Sequence, residues 1–169
     1  MEKLINREQL AGMNIHYLFY SLEYFLDAQK EAGFKTIELW PGTPHFFLSY
    51  VEYSDCKHVR KLLDERDLTV KVITPENCTY QYQFAAQEKE QFEKSMAYFK
   101  KALDAGEELG VETMAINSGW GYWKTGRKPG NVQGKCCLFW QNMPKQKIFD
   151  WQWNLFVHRN PTLLLRYMM

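Results

Sequence analysis

Apolar positions between residues 88 and 110 recur at helical spacing. Phe92, Met96, Phe99, Leu103 and Gly106 stand four, three, four and three residues apart, on one face of a helix. Gly110 predicts its end. Two shorter segments carry the same signature. Ser21 is placed to cap a helix with Glu23 in its first turn, where the helix dipole favours an anion. Leu22, Phe25 and Leu26 make its apolar face, and Gly33, after Ala32, suits the left-handed residue just past its end. Ser54 or Asp55 caps a second helix reaching to about Arg66, with Val59, Leu62 and Leu63 inward.

Short strand-like runs lie between these helices. Residues 12–17 (GMNIHY), 36–40 (TIELW), 68–73 (LTVKVI) and 112–117 (ETMAIN) read as strands. Pro41, Gly42 and Pro44 forbid continuation of the second, and Pro75 stops the third. Residues 76–84 form a polar aromatic loop, and 118–123 (SGWGYW) another. Strands alternating with helices predict a parallel sheet with right-handed crossovers. Half a (β/α)8 barrel and a doubly wound sheet both fit. No G-x-G-x-x-G follows the first strand and no P-loop is present, so nucleotide binding has no motif.

Length narrows the choice. The 169 residues can bury a core but fall short of the roughly 250 of a whole eight-stranded barrel, so such a barrel could be present only in part. A hydrophobic content of 46% with 24% charged residues excludes wholesale disorder. No apolar run approaches the ~18 residues of a membrane span. Residues 1–12 lack the apolar stretch of a secretory signal. Four cysteines without paired spacing point to a reducing compartment, and the chain reads as cytoplasmic.

The net charge of +1 hides a split. Residues 1–123 hold 13 basic and 19 acidic groups, a net of −6. Residues 124–169 hold eight basic groups and one acid, Asp150, a net of +7. Such asymmetry suggests a basic tail for nucleic acid or membrane, or two parts of different origin.

Barrel active sites lie at the C-terminal ends of strands and in the loops beyond. Four such ends carry polar or aromatic groups: His16 with Tyr17; Glu38 with Trp40 and His45; Glu76 with Asn77 and Tyr80; and Asn117 with Trp120 and Tyr122. Rings cover sugar C–H faces while carboxylates and imidazoles bind hydroxyls, so the set suits a polyhydroxylated ligand. Plainer readings exist. His16 fits a half-buried ring satisfied by backbone, Glu38 a structural ion-pair partner, and Trp40 a lid packed over the barrel mouth. Glu76, after Thr74-Pro75, is the strongest single candidate. Cys56 and Cys78 read as plain thiols, and two histidines about thirty residues apart make no metal site on their own.

The runs TIELWPGTPHF, ITPENCTYQYQ and AINSGWGYW together resemble the sugar phosphate isomerase/epimerase family with the xylose isomerase-like TIM barrel, in its fructoselysine 3-epimerase-like branch. The resemblance spans about residues 12–123, four N-terminal βα units of a partial (β/α)8 barrel. It implies a divalent-metal enzyme (Mn, Mg, Co or Zn) that moves a proton next to a sugar carbonyl, with a small-molecule sugar or sugar phosphate as partner. In that family the metal ligands come from the fifth strand onward, so none is implied in this chain, which is expected to bind no metal. What carries over is substrate contact by His16, Trp40, His45, Glu76 and Trp120. No catalytic residue is assigned.

Residues 124–169 do not continue the pattern. They hold three of the six tryptophans, adjacent Cys136 and Cys137, and poor periodicity. A family member would carry an acidic amphipathic helix and a fifth strand there. Codons built from the third base of one residue and the first two of the next force Leu at Cys136-Cys137, Phe139-Trp140 and Asp150-Trp151. They force Ala at Trp140-Gln141, Met143-Pro144 and Trp151-Gln152, and Glu at Trp153-Asn154. That Glu falls where the fifth-strand metal ligand belongs. The tail is therefore expected to be out of frame from about Lys124 or Thr125, and the chain an inactive, truncated half barrel. Two alternatives differ in class. One is an endonuclease IV-like metal-dependent nuclease, against which the acidic half offers no basic groove. The other is a non-catalytic binding protein whose basic tail docks single strands through Trp140, Trp151 and Trp153. Nucleic acid is the disfavoured partner, and no membrane is expected.

Overall fold

The computed structural model describes residues 6–49, 53–76, 82–84 and 86–116. Four short strands, β1 (Gly12–Met13), β2 (Thr36–Leu39), β3 (Thr69–Ile73) and β4 (Thr113–Met114), pair parallel in the order β1-β2-β3-β4. Helices α1 (Leu22–Glu31), α2 (Cys56–Asp64) and α3 (Lys89–Glu108) connect them. Sequential order in a parallel sheet, with a helix in each crossover, is the arrangement of a partial α/β barrel.

The helix ends follow the local chemistry. Ser21 Oγ accepts from the Tyr24 N–H at 3.1 Å and caps α1. Asp55, rather than Ser54, caps α2, accepting from the Lys57 N–H at 2.9 Å. Gly33 and Gly110 take φ of 79° and 70° just past α1 and α3, the left-handed conformation that glycine enters without a Cβ penalty. Backbone and Ser21 hydrogen bonds hold the Glu23 carboxyl below the usual range.

The first strand differs most from expectation. The run 12–17 pairs only through Gly12 and Met13, and Asn14–Tyr17 turns into a 3-10 helix. The turn begins where the Asn14 side chain bonds the backbone of Trp40, taking over from the ladder. The fourth strand is also shorter than expected, at two residues, although the Ala115 N–H still donates to Ile73 O at 2.9 Å. Between β2 and β3 the register shifts at Ile37/Glu38, so Lys71 of β3 has no Cα partner on β2.

One core lies between sheet and helices. Ile37, Leu39, Val70, Ile73 and Met114 join Phe25 and Leu26 of α1, Val59 and Leu63 of α2, and Phe99 and Leu103 of α3 in a single cluster. The expected α3 face is buried at Met96, Phe99, Leu103 and Gly106, with Phe92 partly buried. The buried surface is wider than that stripe, because Ser95, Tyr98, Ala102 and Ala105 are also covered. The loop before α3 supplies part of the cover. Tyr82 stacks on Tyr98 at 4.0 Å and Phe84 on Phe99 at 4.3 Å, so the described end of this polar-looking loop returns two rings to the core.

Cys56 begins α2 and is buried. Burial and the Glu108 carboxylate push its thiol up to about 12. Because the thiolate is the nucleophile, native Cys56 should resist iodoacetamide at pH 8 and react fully in denaturant. Peptide mapping by mass spectrometry checks this, and native labelling of Cys56 would contradict the buried placement.

Candidate functional site

Three strand ends bring Asn14, Trp40 and Glu76 together. Each lies one to three residues past its strand. The Trp40 indole N–H donates to Glu76 Oε2 at 3.0 Å. Both side chains are buried, at 5% and 6% exposure. Burial of a carboxylate without a partner would be costly, so the indole bond is part of what keeps Glu76 in place. The Glu76 N–H donates to the Tyr98 hydroxyl at 2.9 Å, tying the strand end to α3.

The other side of Trp40 rests on Asn14, which is fully buried. Asn14 Oδ1 accepts from the Trp40 N–H at 2.6 Å, and Nδ2 donates to Trp40 O at 2.9 Å. Asn14 Nδ2 also lies 3.0 Å from His45 Nδ1, and His45 Nε2 lies 2.9 Å from the Tyr20 carbonyl. His45 follows the Thr43-Pro44 cis peptide and is half-buried. Gly42 lies under the indole. A Cβ there would stand 2.0 Å from Trp40 Cη2, so only glycine leaves room for the ring.

Glu38 is half-buried on β2 and accepts from Thr74 Oγ1 at 2.5 Å. Its partner is thus a hydroxyl just past the next strand, not the cation of an ion pair. His16 is exposed in the turn after β1. The structure therefore joins Trp40 to His45 through Asn14 and to Glu76 through the indole, and leaves His16 exposed in the turn after β1. Asn77, Cys78, Tyr80, Asn117, Trp120 and Tyr122 lie outside the described residues, as does the whole of 124–169. Asn14, Gly42 and Tyr98 were not among the sequence candidates. An asparagine inside a strand-like run is the only local sign of the first.

A separate cavity of about 370 Å³ opens between the N-termini of α1 and α2. Tyr20, Glu23, His45, Asp55 and His58 are among its lining residues, whereas Trp40 and Glu76 are not. His45 borders both places.

The described residues do not fit a metal ion. No group of three His, Cys, Asp or Glu side chains among them is arranged to hold one. Both nitrogens of His45 are engaged, and Glu76 is bound by the indole. What the arrangement offers is a buried ring and a buried carboxylate joined at the strand ends. No described helix is long and apolar enough to cross a membrane.

Comparison with known proteins bears on the family and the fold. The family model for the xylose isomerase-like TIM barrel matches residues 26–140. No curated protein matches the chain. Among solved structures, a sugar phosphate isomerase/epimerase from Parabacteroides distasonis superposes with a TM-score of 0.56 at 16% identity, over 89% of this chain and 52% of that one. The 3-keto-D-glucoside 4-epimerase of E. coli gives 0.58 at 15% identity, over 78% and 50%. A D-psicose 3-epimerase crystallised in the presence of D-fructose gives 0.55 at 12% identity, over 76% and 45%. The chain spans about half the length of these structures. At such identities the likeness shows the fold.

Proposed function

Because the chain belongs to the xylose isomerase-like TIM barrel family, we propose that its described residues are the sugar-contacting half of an isomerase or epimerase. The observation that carries the reading is the Trp40–Glu76 pair, held at the C-terminal ends of adjacent parallel strands. In the intact family the reaction is proton transfer next to a sugar carbonyl, assisted by a divalent metal that polarises the carbonyl. No group of three candidate ligands is arranged among the described residues, and the part proposed for them is binding. Trp40 presents a fixed ring, Glu76 an acceptor for hydroxyls, and His16 an exposed imidazole. His45 reaches a sugar by exchanging the Tyr20 carbonyl for a sugar oxygen. Trp120 is proposed as a further contact.

We also propose that residues 1–123 are one unit and that 124–169 are translated out of frame. The forced Leu, Ala and Glu letters support this. Because the family match runs to residue 140, the deciding observation is the coding DNA across residues 117–169 and beyond. An alternative frame that stays open and encodes the Glu supports the reading; early stops overturn it. The chain as written is then expected to turn over no sugar with Mn²⁺ or Mg²⁺ present.

Binding is tested separately. Titration of the purified chain with D-fructose, followed by NMR cross-peaks, should move the Trp40 indole signal in the wild type. Trp40→Ala removes that signal, so there the response of neighbouring amides should fall, as it should in Glu76→Gln. A wild-type spectrum that D-fructose and its phosphate esters leave unmoved would sink the sugar-contact reading. The basic-tail alternative rests wholly on residues outside those described, and salt-dependent binding of single-stranded DNA would favour it instead.

A further inference from the structure

We infer that Asn14 is a positioning residue, which sets the Trp40 backbone and the His45 ring so that the indole is held on Glu76. Asn14 sits where β1 leaves the sheet. Met13 still pairs with Glu38, and the next residue of β2's path, Leu39, pairs with Ile73 on the other side. One residue further on, beside Trp40, the chain of β1 has turned into the 3-10 helix at Asn14. The Asn14 carboxamide fills that place. It accepts from the Trp40 N–H at 2.6 Å and donates to the Trp40 carbonyl at 2.9 Å, as a neighbouring strand would.

The orientation of the amide follows from its partners. A backbone N–H only donates and a carbonyl only accepts, so Oδ1 faces Trp40 N and Nδ2 faces Trp40 O. Nδ2 then directs its second hydrogen to His45 Nδ1, 3.0 Å away. His45 Nδ1 is therefore the acceptor, and Nε2 carries the hydrogen that is donated to the Tyr20 carbonyl at 2.9 Å. One buried side chain thus fixes three things: the backbone at Trp40, the tautomer of His45, and the seat of the loop that carries Gly42. With the loop seated and no Cβ on Gly42, the ring has room and its N–H reaches Glu76 Oε2 at 3.0 Å. The purpose of this arrangement rests on the sugar-contact reading; the arrangement itself does not.

The test uses the full 169-residue chain labelled with ¹⁵N. The Trp40 indole cross-peak is assigned by its loss in Trp40→Phe, and the carboxylate's contribution to its position is read from Glu76→Gln. In Asn14→Leu, which keeps the branched shape and removes the hydrogen bonds, the indole cross-peak should move to the position it holds in Glu76→Gln. The Trp40 backbone amide should exchange with solvent at least roughly tenfold faster, as expected when a buried donor loses its acceptor. Amides of α3 should keep their wild-type protection. Asn14→Asp retains the oxygen facing the Trp40 N–H, so it should restore slow exchange at Trp40 while changing the His45 ring-nitrogen shifts. A folded Asn14→Leu with the wild-type indole position overturns the proposal. If Asn14→Leu fails to fold, Asn14→Asp decides: slow Trp40 exchange with altered His45 nitrogen shifts supports it, and unchanged His45 shifts overturn it. Failure of D-fructose to move any cross-peak, with these Asn14 effects present, counts against the sugar reading alone.

Discussion

Phe99→Ala is expected to remove the cooperative unfolding transition of the chain at 25 °C. Phe99 is fully buried, stacks on Phe84 at 4.3 Å and meets Tyr98 edge-on at 5.3 Å. Truncating a buried phenylalanine costs about 3–5 kcal/mol, because the lost transfer energy is joined by the cavity left behind. A typical domain has only about 5–15 kcal/mol in total. Here the two outer strands have two residues each, so little surrounding structure is available to absorb the loss. Urea titration followed by circular dichroism measures it. Phe47→Ala is the control, since Phe47 is 42% exposed and its removal should change stability by no more than about 0.5 kcal/mol. A Phe99→Ala curve overlying that of the control would mean that α3 does not pack as described.

Gly42→Ala is expected to expel the Trp40 indole. The new Cβ would stand 2.0, 2.2 and 2.4 Å from three ring atoms. The ring cannot yield in place, since it is enclosed at 5% exposure and anchored at Glu76, while its backbone is fixed by Asn14. Either the loop lifts or the indole swings out, and both break the Trp40–Glu76 bond. Overpacking of this kind costs about 1–3 kcal/mol. The local effect should be larger than the global one: the Trp40 indole cross-peak loses its carboxylate-bonded position, and any response to D-fructose disappears. Urea titration and the NMR spectrum of the one variant report both. A wild-type indole position in Gly42→Ala would show that the ring does not lie over Gly42.

These two sites differ in how far the sequence reveals them. The α3 face that buries Phe99 follows from the four-three spacing alone, because helical neighbours are three and four residues apart in the chain. The stacking of Phe84 on it does not follow, and the run 76–84 looks like a polar loop until its rings are placed. Gly42 reads as a strand breaker. Its closeness to Trp40 is a matter of how the loop folds back over the indole.

The candidate site shows the same division. Trp40, His45 and Glu76 are legible as unusual groups at strand ends. Their linkage is not, because it runs through Asn14, 26 residues from Trp40, and through an indole–carboxylate bond spanning 36 residues. Glu38 invites an ion-pair reading, and its partner proves to be the Thr74 hydroxyl across the strand pair.

By itself the sequence determined the helices, the cap at Ser21, a cap at Ser54 or Asp55, the stops at Gly33 and Gly110, and the alternation that makes a parallel sheet. All of these depend on neighbours within about four residues, where periodicity and capping chemistry act. Only the tertiary structure decided that β1 ends at Met13, that Asn14 takes the place of a strand beside Trp40, and that Trp40 is set on Glu76. Those outcomes depend on hydrogen bonds between distant segments, where a buried donor or acceptor takes whichever partner the fold brings within reach.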